Sequence, residues 1–103
     1  MDDAALLRAA ADRLEQLAAR TTAGSWETRG LLATRPEVVA RWPDGSTEHV
    51  AEARARTAEW ITTLSPALAG PLVGWLRSAA RGPVAPDALA LARLVTGGPA
   101  AVL

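Results

Sequence analysis

The histidine at position 49 is the residue of this 103-residue chain best suited to acid–base chemistry or metal binding. Imidazole titrates near neutral pH and ligates metals, but both uses require further ligands or partners close by. The chain has no cysteine, and the acidic residues nearest His49 in sequence are Asp44, Glu48 and Glu52. Glu48 would point to the opposite face of a strand, and Asp44 belongs to a turn. We therefore expect no metal site, no cofactor and no catalytic role for His49.

Serine and glycine residues also lack the sequence context that nucleophilic catalysis or phosphate binding needs. None of the serines lies in a strand-turn-helix elbow or near an obvious base. The Gly97-Gly98 pair follows a helical pattern, whereas phosphate loops precede a helix and carry Lys-Ser or Lys-Thr. The serines concerned are Ser25, Ser46, Ser65 and Ser78. We predict that the protein is not an enzyme.

Three arginines near the C-terminal end raise the alternative of a small DNA-binding regulator that uses the last two helices. These are Arg77, Arg81 and Arg93, and the two helices could imitate a helix-turn-helix. However, the joining segment 81–86 is longer than the usual turn, and phosphate neutralisation normally takes several cations on one face. Nucleic acid is therefore the less favoured partner.

The four tryptophans are the only aromatic residues apart from His49, so they must provide most of the large apolar contacts. Trp42 alternates with Val38 and Ala40, which favours a position in the core. Trp60 and Trp75 flank helical apolar stripes, at the margin where core and protein interfaces are equally plausible. Because alanine-rich helices bury little area, self-association would bury the remainder, and we expect a homodimer.

Hydrophobic periodicity predicts an N-terminal helix over residues 3–20, with Asp2 and Asp3 at its positive end. Short strands follow: one over residues 26–33, in which Gly30 is a bulge or a turn, and then a hairpin around the turn at residues 43–46. A four-residue turn would place Trp42 opposite Thr47.

That hairpin register has specific cross-strand consequences. It sets Arg41 opposite Glu48 and Val39 opposite Val50. On the other face, His49 would lie with Ala51 beside the apolar side chains of the first hairpin strand. Charged and apolar pairs match in this arrangement, which favours it over a slipped one.

Helical periodicity returns after Ala51, with an apolar stripe at three-residue steps and a Glu52–Arg56 ion pair. The stripe contains Ala55, Ala58, Ile61 and Leu64. A second helix would begin at Pro66 with Ser65 as its cap, or at Pro71, and would end near residue 81; both starts remain open. A last helix would run over residues 86–96 and stop at Gly97.

Composition limits the remaining possibilities. Eleven arginines balance eleven acidic residues, so the chain has no ready-made field for polyanions or anionic membranes. The longest uncharged run, residues 60–76, contains proline and glycine and is too short for a membrane span. The acidic start Met1-Asp2-Asp3 is unlike a signal peptide. We expect a soluble, cytoplasmic protein that makes no membrane contact.

Two stretches resemble the Ead-like early-region proteins of phages and prophages. Residues 22–26 (T-A-G-S-W) look like their A-T-P-G-P-W segment. Residues 58–61 with Ser65-Pro66 are similar to their D-A-x-[FY]-I-A-x-x-x-P segment, which leads into a leucine-rich helix like residues 68–76 here. The resemblance implies a small, prophage-derived accessory protein of the cytoplasm without a known catalytic site. Trp26 and Trp60 would be packing anchors.

Together these patterns predict one α+β domain over residues 1–103. It would contain an N-terminal helix, a small antiparallel sheet of two or three strands, and then three C-terminal helices packed on one sheet face. The expected function is that of a non-enzymatic accessory or protein-interaction domain. The residues predicted to form its interface are Trp60, Ile61, Leu72, Trp75 and Leu76.

Overall fold

The computed structural model describes residues 1–30 and 35–97 and has the predicted α+β class. An N-terminal helix precedes a three-stranded antiparallel sheet in the order β1-β2-β3, and helices follow the sheet. The elements are α1 (Asp3–Ala19), β1 (Ser25–Arg29), β2 (Glu37–Arg41), β3 (Thr47–Glu52), α2 (Ala55–Thr63), a 3₁₀-helix (Pro66–Leu68), α3 (Ala69–Ala79) and α4 (Pro86–Thr96).

The chain divides into two compact units, each with its own packing. The helical unit combines Met1–Arg20 with the chain from Ala69 onward, and the sheet unit comprises Thr21–Leu68. α3 and α4 pack against α1, whereas α2 packs against β1 and β2. The predicted arrangement, with one N-terminal helix and three C-terminal helices grouped on a sheet face, is therefore wrong. Periodicity identifies apolar faces but does not say which element covers each face.

α1 begins where the sequence predicts because Asp2 caps it. The Asp2 side chain accepts a hydrogen bond from the Ala5 backbone N–H at 2.7 Å, which satisfies a donor that has no partner inside the helix. The helix ends at Ala19, one residue before the predicted end. Among the described residues, no helix combines the length and apolar composition needed to cross a bilayer.

The core of the helical unit is built mainly from alanine. Leu7 of α1 and Leu76 of α3 are its largest fully buried side chains. Small side chains let helix axes approach closely, so the helices pack without bulky layers between them. The buried residues of this core are Leu7, Ala10, Ala11, Val73, Leu76, Ala80, Ala88 and Ala92.

The two C-terminal helices start and stop at residues with clear local reasons. α3 begins at Ala69, so neither predicted start is correct: Pro66 begins a separate 3₁₀-helix, and Pro71 lies in the first turn of α3. Proline is tolerated there because first-turn N–H groups have no partner inside the helix. α4 spans the predicted residues, and Gly97 is its C-cap residue. The φ of Gly97 is 71°, which is incompatible with continuing a right-handed helix.

In the sheet unit, one face of the sheet is apolar. Val38 and Ala40 of β2 are fully buried and share this face with Trp26, which pairs with Ala40. The Trp26 indole N–H donates to the carbonyl of Thr22 at 3.0 Å, so its polar atom is satisfied. α2 contributes Ala58 as its buried residue. Alternation along β2 thus directs its apolar side chains toward α2.

The β2–β3 turn has three residues, not four. The Trp42 N–H donates to the Ser46 carbonyl at 2.9 Å, and the Gly45 N–H donates to the Trp42 carbonyl at 2.9 Å. Gly45 has a φ of 86°, the conformation that the last residue of a three-residue hairpin turn requires. Asp44 accepts hydrogen bonds from the N–H and hydroxyl of Ser46 and stabilises the same turn.

This shorter turn makes the predicted register wrong by one residue. Arg41 pairs with Thr47 instead of Glu48, and Val39 pairs with His49 instead of Val50. A one-residue slip moves side chains to the other face, so His49 lies on the polar face of the sheet.

A bulge then restores the apolar face further along β3. Val50 is the extra residue between His49, which pairs with Val39, and Ala51, which pairs with Val38. Ala51 therefore keeps the predicted apolar position beside Val38, while His49 does not share it.

One further expectation is wrong beside β3, and part of another, for the first strand, lies outside the described residues. Glu52 is the last residue of β3 and lies 3.4 Å from Arg35, so it does not form the predicted helical pair with Arg56. β1 ends at Arg29, and residues 31–33 of the strand predicted over 26–33 lie outside the described residues.

We predict that Gly45→Ala destabilises the protein by about 1–2 kcal/mol, because alanine is strained at this positive φ. An added Cβ would meet no atom within 4 Å, so the cost is conformational. Gly45→Asn should cost less. As a control, Gly74→Ala in α3 also meets no atom and should stabilise by up to about 1 kcal/mol. Chemical denaturation measures all three; equal effects at both glycines would contradict the turn assignment.

Candidate functional site

His49 has an acidic partner that sequence proximity did not reveal. Its Nδ1 lies 2.5 Å from Oε2 of Glu37, on the polar face of the sheet. Glu37 is twelve residues away in sequence and becomes a neighbour through strand pairing. Both side chains are substantially exposed. Within residues 1–30 and 35–97, no group of three or more histidine or acidic side chains could hold a metal ion.

A second pair on the same face joins Arg41 and Glu27. The Arg41 guanidinium donates twice to Glu27 Oε1, at 2.6 and 3.0 Å. These hydrogen bonds lower the pKa of Glu27 and raise that of Arg41. Together with the His49–Glu37 pair they surround Val39, which is only 2% exposed. The stems of these long side chains can shield Val39 while the charges stay in water, so this face has a structural role.

In the helical unit, acidic side chains neutralise the central arginine of the predicted DNA-binding helices. Arg77 donates to Glu15 at 3.2 Å and to Asp12 at 3.0 Å. These hydrogen bonds raise the pKa of Arg77, and the bond that Arg77 donates to Glu15 has the larger influence. The guanidinium is therefore committed to α1, and its charge is already compensated.

An open depression lies at the tip of the hairpin. Its volume is about 440 Å³, and it is lined by Gly24, Ser25, Arg41, Trp42, Pro43 and Gly45. Trp42 is thus partly exposed beside the turn instead of fully buried in the core. Arg41, the charged group of the lining, is already bonded to Glu27. Bound ligands usually lose most of their exposed surface, which an open depression does not provide.

The five residues predicted to form an interface fall into both units and differ in exposure. Trp60 is 68% exposed and Trp75 is 48% exposed, while Ile61 and Leu72 are partly buried. Leu76 is fully buried in the helical core and cannot contact a partner directly. Of the set, Trp60 is the most exposed large side chain.

Two leucines that follow Trp60 in the sheet unit are also exposed. Leu64 is 46% and Leu68 is 40% exposed. At 100° per residue, Trp60 lies about 160° around α2 from the buried Ala58, and Leu64 follows it on the same side. We call Trp60, Leu64 and Leu68 the α2 surface. The sequence placed Leu64 on the buried stripe; its four-residue spacing from Trp60 was the available signal for an outer face.

The charges of α2 run against its helix dipole. Arg54 is the N-cap residue without a side-chain cap hydrogen bond, and Arg56 lies in the first turn, which has no acidic residue. The last turn has no basic residue. Neither arginine forms an ion pair with the residues that the structure describes. Cations at a helix N-terminus are unfavourable, so local helix stability does not explain them.

We predict that Arg41→Gln destabilises the protein at neutral pH and that this difference disappears in acid. The pKa of Glu27 is lowered by Arg41, so the pair contributes stability above the unfolded-state pKa of about 4.5 and loses it as pH falls through the lower folded-state value. Urea denaturation across pH measures the difference. Arg35→Gln is the matched control, because Arg35 is largely exposed and its contact with Glu52, at 3.4 Å, is longer than the contact of Arg41 with Glu27. A pH-independent difference would contradict this origin.

Comparisons with known proteins did not identify a relative of this chain. No family model, no curated protein and no solved structure matches the chain. The resemblance to Ead-like proteins therefore stays a prediction. The choice among candidate sites depends on geometry. The geometry favours the α2 surface, which combines exposed apolar area with nearby cations that have no ion-pair partner in the described part of the chain.

Proposed function

We propose that this protein is a non-enzymatic protein-interaction domain and that the α2 surface is where it binds. The observation that carries the proposal is Trp60, a large side chain exposed over 68% of its surface at the centre of a helix face. Tryptophan is enriched among residues that dominate binding energies, particularly where other apolar side chains surround it. Leu64, four residues further along the chain and 46% exposed, provides such a neighbour.

Burying Trp60 in an interface would contribute a large binding free energy for a single side chain. Burying its uncovered part, roughly 150 Å², would contribute about 3–4 kcal/mol at about 25 cal/mol per Å². The prophage-derived accessory role and the cytoplasmic location suggested by the sequence belong to the same proposal. DNA binding through the last two helices has less support, because Glu15 and Asp12 already compensate Arg77.

Peptides that bind the wild-type protein can be selected from a displayed library of random sequences. We predict that Trp60→Ser removes the binding of most of these selected peptides. Serine removes the apolar area and keeps a helix-compatible surface side chain. Affinity of the selected peptides should fall at least about tenfold, measured by fluorescence anisotropy with synthetic copies.

Trp75→Ser is the control, because it removes the other largely exposed tryptophan, which lies in the helical unit. It should leave these affinities unchanged. Circular dichroism checks that both variants keep the wild-type helix content. If the peptides bind Trp60→Ser as well as they bind the wild type, the α2 surface is not the binding site.

A further inference from the structure

The ends of α2 carry the charges that another helix running in the opposite direction would need. Arg54 and Arg56 stand at its N-terminal end, where the helix dipole is positive. Its C-terminal end has no cation, and the hydroxyls of Thr62 and Thr63 both donate to the Glu59 carbonyl. Among the described residues, the helix thus has cations without an ion-pair partner at one end and no cation near the partial negative charge of the other end.

The outer face of α2 has a simple order along its axis. Arg56, Trp60 and Leu64 follow at four-residue steps, and each is turned about 40° from the one before. Thr63 lies within about 20° of Arg56 around the helix and about 10 Å further along it. Trp60 is midway between the cation and the C-terminal end, so the face is balanced about Trp60.

We propose that a second copy of this chain occupies the α2 surface, with the two α2 helices antiparallel and related by a two-fold axis near Trp60. This inference rests on the proposed function and names its partner. Trp60 packs against the partner's Trp60, and Arg56 lies beside the partner's Thr63 at the C-terminal end of that helix. Each copy contributes the cation that the other copy's helix end lacks.

Charge decides the direction of the pairing and favours a second copy as the occupant. A parallel arrangement would set Arg56 against the partner's Arg56, and like charges at such distances repel. The antiparallel arrangement brings each copy's Arg56 to the negative end of the other copy's helix, so this contact occurs twice in the dimer, because a two-fold interface repeats every contact. Both complementary features are present in this chain, so no further partner is needed to provide them.

The size of the surface predicts a weak dimer. α2 has nine residues and is about 13 Å long. The three apolar side chains of the α2 surface offer far less than the roughly 800 Å² per partner of a standard interface. Interfaces this small belong to transient complexes. We expect a dissociation constant in the micromolar range or above, with monomers and dimers in rapid exchange.

The first test is sedimentation velocity on the full chain over a wide concentration range. The wild type should shift from monomer toward dimer as concentration rises. Trp60→Ser should weaken association by roughly a hundredfold, since both copies lose the central side chain. Trp75→Ser, the matched control, should associate like the wild type. Association that depends on Trp75 and not on Trp60 would overturn the proposal.

The second test is a charge exchange that distinguishes the antiparallel arrangement from non-specific hydrophobic association. Arg56→Glu and Thr63→Arg should each weaken the dimer by roughly tenfold, because each places like charges together across the two-fold axis. The double variant Arg56→Glu/Thr63→Arg should recover wild-type association, because opposite charges face each other again. Failure of the double variant to recover would overturn the arrangement.

These variants separate association from folding. A glutamate in the first turn and an arginine in the last turn both suit the dipole of their own helix, so each single variant should keep or gain stability. If the chain stays monomeric while Trp60-dependent peptides are found, the second copy is the wrong partner and the interaction function stands. If neither is found, both proposals fail.

Discussion

Close packing of alanine is the constraint on which the helical unit depends. Its core contains two fully buried leucines and a majority of alanines, so α1, α3 and α4 must approach closely to exclude water. Such a core has little room for large side chains, and Leu17, Trp75 and Leu94 are left with much of their surface exposed. Alanine suits helix formation and close contact, but it buries little area per residue. Exposed large apolar side chains follow from this composition.

The sheet unit depends on a different constraint, the geometry of one turn. Gly45 at positive φ closes the hairpin with three residues, and this choice places Arg41, Val39 and Glu37 on the polar face with His49. The pairs Arg41–Glu27 and His49–Glu37 then enclose Val39 from both neighbouring strands. Apart from Val39, the buried apolar residues of β2 lie on the opposite face, and α2 packs against β1 and β2. The outer side of α2 is consequently the side that carries Trp60.

Function is less determined than fold, and among the described residues no group of three or more histidine or acidic side chains could hold a metal ion. The sequence identified Trp60 by its position beside an apolar stripe, and the structure places it among the most exposed large apolar side chains. The exposure of Leu68 could not be predicted in the same way as that of Leu64, since α2 ends at Thr63 and the chain then changes to a 3₁₀-helix. Leu76 belongs to the core because α1 covers the face on which it lies.

Local signals in the sequence determined where α1 begins and where α4 begins and ends: Asp2 caps α1, Pro86 opens α4, and Gly97 closes it. These effects act within a few residues, so they can be identified without knowing the rest of the fold. Tertiary structure alone decided the strand register, the partner of His49 and the division of the helices between two units. Those features depend on contacts between residues far apart in sequence. Alternating and helical patterns show which faces are apolar but not what covers them.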